Sequence, residues 1–381
     1  MKDKETKLRP HQERILKENP NKALLCWAPR TGKSRAGQNW INHNTRAGNT
    51  YVICLKKNKR EWQSRCPDAT VYTKEEFKKY FSEIESPTAI LVDEIHNFHG
   101  KLFIAKSRSD LSVCLYTLIK QNPDMHLMGL TGTPLSNDPS SIHTALTYIG
   151  HYIEWRTFRD KFYNLEYKPY LPRPAYFAIK DWRVGANVLL NKHADIVSLH
   201  DCVDCLPLET SEVVAIKTKP KVYEEDEDYH WTKDHRQEQT EKYKHIKSLG
   251  YRKLIIVCHY TDQINELYDK LKNVKPTYIV NSQTKDQEGT IASAQNEEDC
   301  YLIMNASMGE GFDGYMFDIM IFASMPHRVL FHTQMKARLD TIEPEQMKPK
   351  IYQYLVGGKW DKIIYECIIA GEEFNCHKYE S

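Results

Sequence analysis

A short apolar run that leads directly into a glycine-lysine-serine turn constrains this chain more than any other feature. Residues 23–27 are apolar, and residues 28–34 end in Gly32, Lys33 and Ser34. Glycine lets the backbone turn its N–H groups toward an anion, lysine brings a compact charge to the outer phosphates, and serine offers a hydroxyl to magnesium. The pattern is therefore the outline of a phosphate-binding P-loop. An ordinary strand–turn–helix is the alternative, because tryptophan replaces the glycine expected at position 27.

The bulk composition is that of a soluble globular protein with two domains. The chain has 381 residues, of which 41% are hydrophobic and 27% are charged, enough for two domains that each bury a core. Its formal net charge is only +2, so any contact with nucleic acid must come from local basic patches. No apolar run approaches membrane-spanning length, and the charged N-terminus has no signal-peptide core. We therefore predict an intracellular, cytoplasmic protein without a membrane partner.

The ten cysteines are scattered along the sequence, which favours reduced thiols in an intracellular protein. One pair, Cys202 and Cys205, has the spacing of metal ligands, and His200 lies nearby. A structural zinc site normally needs a second such pair, and the sequence offers no obvious one. We therefore favour two ordinary thiols over a metal site at this pair.

Two series of short apolar runs predict two α/β halves. Polar, helix-like stretches separate the runs, and this alternation is typical of parallel sheets with helices on both faces. The predicted domains are residues 1–205 and 235–381, joined by a linker at 206–234 that carries the acidic run 224–228. Residues 141–165 are predicted to be helical. The apolar runs are 23–27, 51–55, 89–93 and 127–130 in the first half, and 254–258, 278–281, 301–304 and 319–323 in the second.

Polar motifs that could take part in catalysis or metal binding follow two of the predicted strands. Asp93 and Glu94 end the third run, where two buried carboxylates are costly unless they are paired or bound to a metal. Asp93 could hold magnesium, Glu94 could orient or deprotonate an attacking water, and His96 could link them to the next motif. That motif, residues 131–134, is a Thr-Gly-Thr-Pro turn, with a plain turn as the alternative reading. Upstream, the Gln12 amide could read an adenine edge.

The order of these motifs resembles superfamily 2 helicases, and more narrowly the Swi/Snf-type branch of ATP-driven double-stranded DNA translocases. Residues 8–12 (Leu-Arg-Pro-His-Gln), the P-loop, residues 93–96 (Asp-Glu-Ile-His) and residues 130–137 (Leu-Thr-Gly-Thr-Pro-Leu-Ser-Asn) come in the family's order. In the second half, residues 307–313 are similar to motif V and residues 332–338 to motif VI. The likeness covers nearly the whole chain, which looks like a compact, phage-like version of the family.

The resemblance implies a P-loop NTPase with two RecA-like domains and with ATP and Mg²⁺ as cofactors. Lys33, Asp93, Glu94 and Arg338 would be catalytic, Arg338 as an arginine finger that stabilises charge on the transferring phosphoryl group. Ser34 and Asp93 would hold Mg²⁺. The implied nucleotide contacts are Gln12, Arg30, Thr31, Gly32, Lys33, Ser34, Gly311 and Asp313. The implied nucleic-acid contacts are Lys56, Lys57, Thr73 and Asn305.

Several positions depart from the family's pattern. Motif VI usually carries a second arginine three residues after the first, but Thr341 stands there, and Arg328 is a weak substitute. Ala337 replaces the motif VI glycine, while Trp27 and Arg30 replace P-loop glycines. An arginine finger is worth about 10³–10⁵ in rate in related systems, so the loss of one predicts slow hydrolysis.

Together these features predict a motor that couples ATP hydrolysis to translocation on double-stranded or branched DNA. A strand-unwinding or branch-migrating helicase, or an RNA helicase, is the first alternative. The second is a nucleotide-gated DNA-binding replication-accessory factor with weak ATPase, favoured by Thr341 and opposed by the retention of Glu94 and Arg338. Replication or recombination proteins are the candidate partners.

Overall fold

Two compact units, Met1–Asp204 and Cys205–Ser381, make up the chain. Each is built on one six-stranded sheet in which every strand pair is parallel, which is the predicted fold class. The structure, a computed structural model, describes residues 8–45, 49–98, 110–135, 138–167, 174–179, 181–203, 206–217, 239–308, 312–341 and 343–374. Within these ranges no helix is both long and apolar enough to span a membrane.

The first unit alternates strands and helices along the chain. Its strands are β1 (Lys22–Trp27), β2 (Thr50–Cys54), β3 (Thr70–Thr73), β4 (Ala89–Val92), β5 (His126–Thr131), β6 (Tyr163–Glu166), β7 (Ala175–Ala178) and β8 (Asp195–Val197). Its helices are α1 (Pro10–Glu18), α2 (Lys33–Thr45), α3 (Lys59–Arg65), α4 (Lys74–Tyr80), α5 (Asp110–Gln121), α6 (Ser140–Tyr148), α7 (Trp155–Phe162) and α8 (Trp182–His193). The sheet order is β3-β2-β4-β5-β1-β8, while β6 and β7 form a separate antiparallel pair.

The central strands of the first sheet are buried on both faces. In β4, Ile90 and Val92 pack into one hydrophobic cluster, while Ala89 and Leu91 pack into another on the opposite face. A parallel sheet covered by helices on both sides has no polar face, so its strands are continuous apolar runs. The four runs predicted in the first half are β1, β2, β4 and β5, each within one or two residues of its predicted bounds. Their carboxyl ends meet at one edge of the sheet, where α/β proteins place their ligands.

The stretch 141–165 differs from the prediction, since only part of it is helical. It contains α6 and α7, and it ends in β6, which pairs with β7 from Tyr163 opposite Ala178 to Glu166 opposite Ala175. The partner strand lies about ten residues further along the chain. The pattern of apolar residues within one segment does not show which other segment it pairs with.

The second unit repeats the alternation. Its strands are β9 (Glu209–Ile216), β10 (Lys253–Cys258), β11 (Thr277–Val280), β12 (Cys300–Asn305), β13 (Ile319–Phe322) and β14 (Lys350–Gly357). Its helices are α9 (Gln239–Ser248), α10 (Thr261–Leu271), α11 (Gln287–Asn296), α12 (Val329–Lys336) and α13 (Gly358–Ile369). The sheet order is β11-β12-β10-β13-β14-β9. The four runs predicted in the second half are β10 to β13.

The predicted linker at 206–234 contains an edge strand of the second sheet. β9 lies beside β14 over its whole length, from Glu209 opposite Lys350 to Ile216 opposite Gly357. Most of its side chains are exposed, and its first four residues, 209–212, are polar, so the segment was assigned to the linker. The acidic run 224–228 lies outside the described residues.

A buried ion pair ties α9 to α13 in the second unit. Lys242 is fully buried, and its Nζ donates to Oδ2 of Asp361 at 2.8 Å. The same oxygen accepts the backbone N–H of Gly357 at 3.0 Å. Asp361 is itself only 4% exposed, so each charge depends on the other to remain in the interior.

We expect Lys242→Ala to lower the free energy of unfolding of the second unit by about 3–5 kcal/mol, because it leaves the Asp361 carboxylate buried without its cation. Lys244→Ala on the same helix is the control. Lys244 forms an exposed pair with Glu241, and its loss should change stability by less than about 0.5 kcal/mol. Urea denaturation followed by circular dichroism measures both, and equal losses would contradict the expectation.

Candidate nucleotide-binding site

The turn between β1 and α2 has the backbone shape of an anion-binding loop. Arg30 and Gly32 both have left-handed φ angles, 69° and 89°. Thr31 between them is fully buried, and its Oγ1 donates to the carbonyl of Ala28 at 2.7 Å. Helix α2 begins at Lys33, so its first N–H groups and the positive end of its dipole lie at the turn. The turn thus presents backbone donors and a lysine at a helix start, as a bound phosphate requires.

Two side chains of α1 hold this turn in place. His11 donates from Nε2 to the carbonyl of Thr31 at 2.9 Å, and Gln12 donates from Nε2 to the carbonyl of Gly32 at 3.0 Å. Gln12 Oε1 accepts the backbone N–H of Arg9 at 2.9 Å, and the side chain is only 3% exposed. Both ends of the Gln12 amide are therefore bonded to backbone. The second N–H and the second acceptor lone pair of the amide are not used by these bonds, and the predicted contact of Gln12 with adenine stays a prediction.

The carboxylate of Asp93 is buried directly after β4. Its Oδ2 accepts Trp62 Nε1–H at 2.9 Å and Asn58 Nδ2–H at 3.2 Å. Burial raises the pKa of Asp93 to about 6, and the adjacent Glu94 carboxylate adds to the rise, while Trp62, Asn58 and Lys33 oppose it. A divalent cation at this carboxylate would favour its ionised form and reverse the effect of burial.

Glu94 is oriented by the histidine that follows it. Asn97 donates from Nδ2 to the carbonyl of Glu94 at 3.1 Å, and the same nitrogen lies 3.3 Å from His96 Nε2. An amide nitrogen only donates, so Nε2 accepts and the proton of the neutral ring is on Nδ1. Nδ1 lies 3.2 Å from Glu94 Oε2 and 3.1 Å from Thr131 Oγ1. Thr131 Oγ1 also accepts the N–H of Thr133 at 3.1 Å, so the turn after β5 is linked to Glu94 through His96.

Lys33 lies where these motifs meet. A Cβ atom placed on Gly132 would be 3.2 Å from Lys33 Nζ. The charge of Lys33 also favours ionisation of Asp93 and of the buried Cys26 thiol. The P-loop, the Asp93–Glu94 pair and the Thr-Gly-Thr-Pro turn are therefore assembled at one edge of the first sheet, within a single unit.

The residues at this edge fit a nucleotide phosphate and a magnesium ion. Lys33 supplies the cation, Ser34 a hydroxyl in the first turn of α2, and Asp93 a carboxylate. Thr133 Oγ1 is buried with no hydrogen-bond partner among the described residues, as a donor awaiting an oxygen would be. No cluster of three or more His, Cys, Asp or Glu side chains suited to a metal occurs in the described ranges.

Arg338 and the motif V segment hold each other in the second unit. Arg338 Nε donates to the carbonyl of Gln334 at 3.1 Å, and Nη1 lies 3.4 Å from the carbonyl of Phe312. The Gly314 N–H donates to the Arg338 carbonyl at 2.9 Å. The Asp313 carbonyl accepts a hydrogen bond from the Gln295 amide at 2.6 Å. Gly311 lies outside the described residues, so its predicted nucleotide contact cannot be placed.

Thr341 is buried in a tight turn. It is 6% exposed, and its Oγ1 accepts the N–H of Glu343 at 3.2 Å. The position that carries the second arginine of motif VI in the family is therefore used here to close a turn. Arg328 precedes α12, with its guanidinium 5.7 Å from the centre of the Phe331 ring.

The four predicted nucleic-acid contacts lie in different environments. Lys56 and Lys57 are exposed in a 3₁₀ turn directly after β2. Thr73 is buried and caps α4, where its Oγ1 accepts the Glu76 N–H at 3.2 Å. Asn305 in the second unit donates to the His259 carbonyl at 2.7 Å and accepts the N–H of Ser307 at 2.9 Å. The lysines have the exposure that a phosphate contact needs, whereas the side chains of Thr73 and Asn305 are engaged in local structure.

No protein-family model matches this sequence, and no curated protein matches it either. Solved structures do match. Saccharomyces cerevisiae Dbp5 bound to RNA and ADP BeF3 has a TM-score of 0.59 at 13% identity, with 98% of this chain and 90% of that chain covered. The ATP-dependent Type ISP restriction-modification enzyme LlaBIII bound to DNA has a TM-score of 0.55 at 12% identity, with 96% of this chain and 30% of that chain covered. At such identities the match shows the fold, which is that of two RecA-like domains as found in helicases.

Sequence reasoning missed three side chains that the structure places at the site. Asn58 and Trp62 bond to Asp93, and His11 bonds to the P-loop backbone. A signal existed for Trp62, since a tryptophan in a short polar helix directly after a buried strand must bury its ring beside the strand end. For the metal-spaced cysteines, Cys205 lies outside the described residues, and Cys202 is half-buried in the packing around β1.

We expect Gly32→Ala to destabilise the first unit by about 2–3 kcal/mol. The left-handed φ costs an alanine about 1–2 kcal/mol, and the new Cβ would lie 2.3 Å from Gln12 Nε2, which displaces a hydrogen bond worth about 1 kcal/mol.

Gly150→Ala is the matched control. Gly150 has a φ of 88°, and a Cβ there would meet nothing within 4 Å, so only the backbone cost of about 1–2 kcal/mol applies. Urea unfolding of both variants separates the two costs. Equal losses would show that the Gln12 contact does not hold the turn.

Proposed function

We propose that this protein is an ATP- and Mg²⁺-dependent nucleic-acid motor of the superfamily 2 helicase type, which couples ATP hydrolysis to translocation on double-stranded or branched DNA. The observation that carries the proposal is the assembly of Lys33, Asp93 and the His96-oriented Glu94 at one edge of the first sheet. The match to Dbp5 and LlaBIII, whose structures were determined with RNA and DNA respectively, supports a nucleic-acid substrate. The Swi/Snf-type motifs in the sequence favour DNA.

The residues of the first unit would have different roles in ATP binding and hydrolysis. The P-loop backbone and Lys33 would bind the outer phosphates, and Ser34 and Asp93 would hold the metal. Bound Mg²⁺ would neutralise charge on the phosphate oxygens. Glu94 accepts a proton from the attacking water or orients that water, and His96 keeps its carboxylate turned toward the phosphates. Arg338 from the second unit stabilises charge on the transferring phosphoryl group.

A nucleotide-gated DNA-binding protein with weak ATPase is the second candidate, and one observation favours it. Threonine stands at position 341, where the family carries a second arginine, and its side chain is buried and bonded to the N–H of Glu343, so motif VI supplies a single arginine. Such a protein would bind DNA in response to ATP and turn over slowly, and a replication or recombination complex would be its natural partner.

Lys33→Ala should reduce nucleic-acid-stimulated ATPase by about 10²–10³-fold, because it removes the cation that meets developing charge on the phosphates. Lys120→Ala, at the exposed end of α5, is the control and should retain the wild-type rate. The assay is run with duplex DNA, forked DNA, single-stranded DNA and RNA. Strongest stimulation by duplex or forked DNA is expected, and strongest stimulation by RNA would favour the RNA-helicase alternative. Full stimulated activity in Lys33→Ala would overturn the proposed function.

Arg338→Ala should lower the maximal hydrolysis rate by about 10³-fold and leave nucleotide affinity within a few fold of wild type, since an arginine finger acts in the transition state. Arg252→Ala, which removes an exposed arginine of the same unit, is the control. Single-turnover hydrolysis and equilibrium binding of a fluorescent ATP analogue separate the two effects. Negligible wild-type turnover on saturating DNA, combined with ATP-dependent DNA binding, would favour the nucleotide-gated binder.

A further inference from the structure

Two donors from a single segment hold the Asp93 carboxylate. Trp62 Nε1–H and Asn58 Nδ2–H both reach Oδ2, at 2.9 Å and 3.2 Å. Trp62 is 2% exposed and packs beside Cys54 and Cys66 in the hydrophobic cluster on one face of the first sheet. Its indole cannot rotate without disturbing that packing. The orientation of the carboxylate therefore depends on the position of α3, which carries Trp62 and is preceded by Asn58.

The same segment begins with the exposed lysines and is tied to α4. Lys56 and Lys57 immediately precede Asn58. Lys59 Nζ lies 2.6 Å and 2.7 Å from the two carboxylate oxygens of Glu76. Glu76 in turn accepts the N–H of Thr73 at 2.8 Å. The three nucleic-acid contacts proposed for the first unit, Lys56, Lys57 and Thr73, are thus connected to α3 by covalent structure or by charged hydrogen bonds.

We propose that Asn58 and Trp62 are positioning residues that set the Asp93 carboxylate for the metal and transmit nucleic-acid binding at Lys56 and Lys57 to it. The inference rests on the proposed function, because it assumes a metal–nucleotide complex at Asp93. A phosphate backbone that pulls on the lysines moves the start of α3, and both donors on Oδ2 move with it. A carboxylate held through one oxygen responds by rotation, which changes how well its other oxygen faces the metal.

We call this link from Lys56 and Lys57 through Asn58 and Trp62 to Asp93 the relay. If the relay is lost, Mg²⁺-dependent binding of the nucleotide should weaken, while metal-free binding should not. Loss of a partner that orients a metal-binding carboxylate typically costs 10–100-fold in metal affinity. Trp62→Phe removes the N–H and keeps a ring in the core. It should raise the Mg²⁺ concentration needed for tight binding of a non-hydrolysable ATP analogue by about 10-fold. Metal-free binding of the same analogue in EDTA should be unchanged.

The coupling to nucleic acid is measured in the same assay. Affinity for the analogue with Mg²⁺ is determined with and without a saturating duplex DNA oligonucleotide, and the ratio is the coupling factor. Wild type should show a factor of several fold, and Trp62→Phe should bring it close to one. Asn58→Ala should shift the Mg²⁺ dependence and the coupling factor in the same direction. Circular dichroism should show that this variant remains folded.

Trp40→Phe is the matched control. Trp40 is fully buried in α2, and its Nε1 has no hydrogen-bond partner among the described residues, so the change loses similar volume without touching Asp93. It should leave both the Mg²⁺ dependence and the coupling factor at wild-type values. Equal defects in the Trp40 and Trp62 variants would show a general packing effect and overturn the inference.

The outcomes separate the inference from the function on which it rests. A wild-type protein that binds the analogue and is stimulated by DNA, with Trp62→Phe unchanged in Mg²⁺ dependence and coupling, overturns the relay and leaves the motor intact. A wild-type protein that binds no nucleotide with or without Mg²⁺ overturns both. A wild-type protein that binds Mg²⁺ and nucleotide with a coupling factor of one overturns the relay, and its ATPase decides the function independently.

Discussion

The buried carboxylate of Asp93 is the constraint around which the edge of the first sheet is arranged. An ionised carboxylate taken out of water is strongly destabilised unless charges or hydrogen bonds compensate it. Here Lys33, Trp62 and Asn58 compensate only in part, since the pKa of Asp93 remains raised to about 6. Asp361 in the second unit differs, because the buried Lys242 ammonium donates directly to its carboxylate. A divalent cation at Asp93, as the proposed function requires, would favour the ionised carboxylate.

The side chains implied to contact ligands divide into two groups. Lys56 and Lys57 are exposed in the turn directly after β2, and Lys33 begins α2. Gln12, Asn305 and Thr73, by contrast, have polar side chains that form hydrogen bonds with nearby backbone groups. The Gln12 amide keeps a second N–H and a second acceptor lone pair besides these bonds. A further polar contact at Gln12 is therefore compatible with its hydrogen bond to the Gly32 carbonyl.

Much of the architecture could be predicted because parallel strands covered on both faces leave unbroken apolar runs, as in β4 and β10. β9 was placed in the linker because its first half is polar, although residues 213–216 are apolar; its place at the sheet edge depends on pairing with β14, which the segment's own sequence does not specify. β6 was missed because it pairs with β7, a separate segment further along the chain, and its own sequence does not specify that pairing. The P-loop, Asp93 and Glu94 were identifiable since they follow strands at fixed positions in the chain. The hydrogen bonds from Trp62 and His11 were not, because they depend on where α3 and α1 pack, and residue spacing does not specify that.

The two positions at which motif VI of the family carries arginine, 338 and 341, have different local environments in this structure. The buried Thr341 side chain accepts the N–H of the exposed Glu343, and an arginine in the same position would have to bury its charge or move out of it. The remaining arginine, Arg338, is fixed to the backbone of the motif V segment through Phe312 and Gly314. Any shift of that segment therefore moves Arg338 as well. Local packing in the second unit thus sets both the orientation of the Arg338 guanidinium and the burial of Thr341, whereas a catalytic role for Arg338 rests on the motif resemblance and belongs to the proposed function.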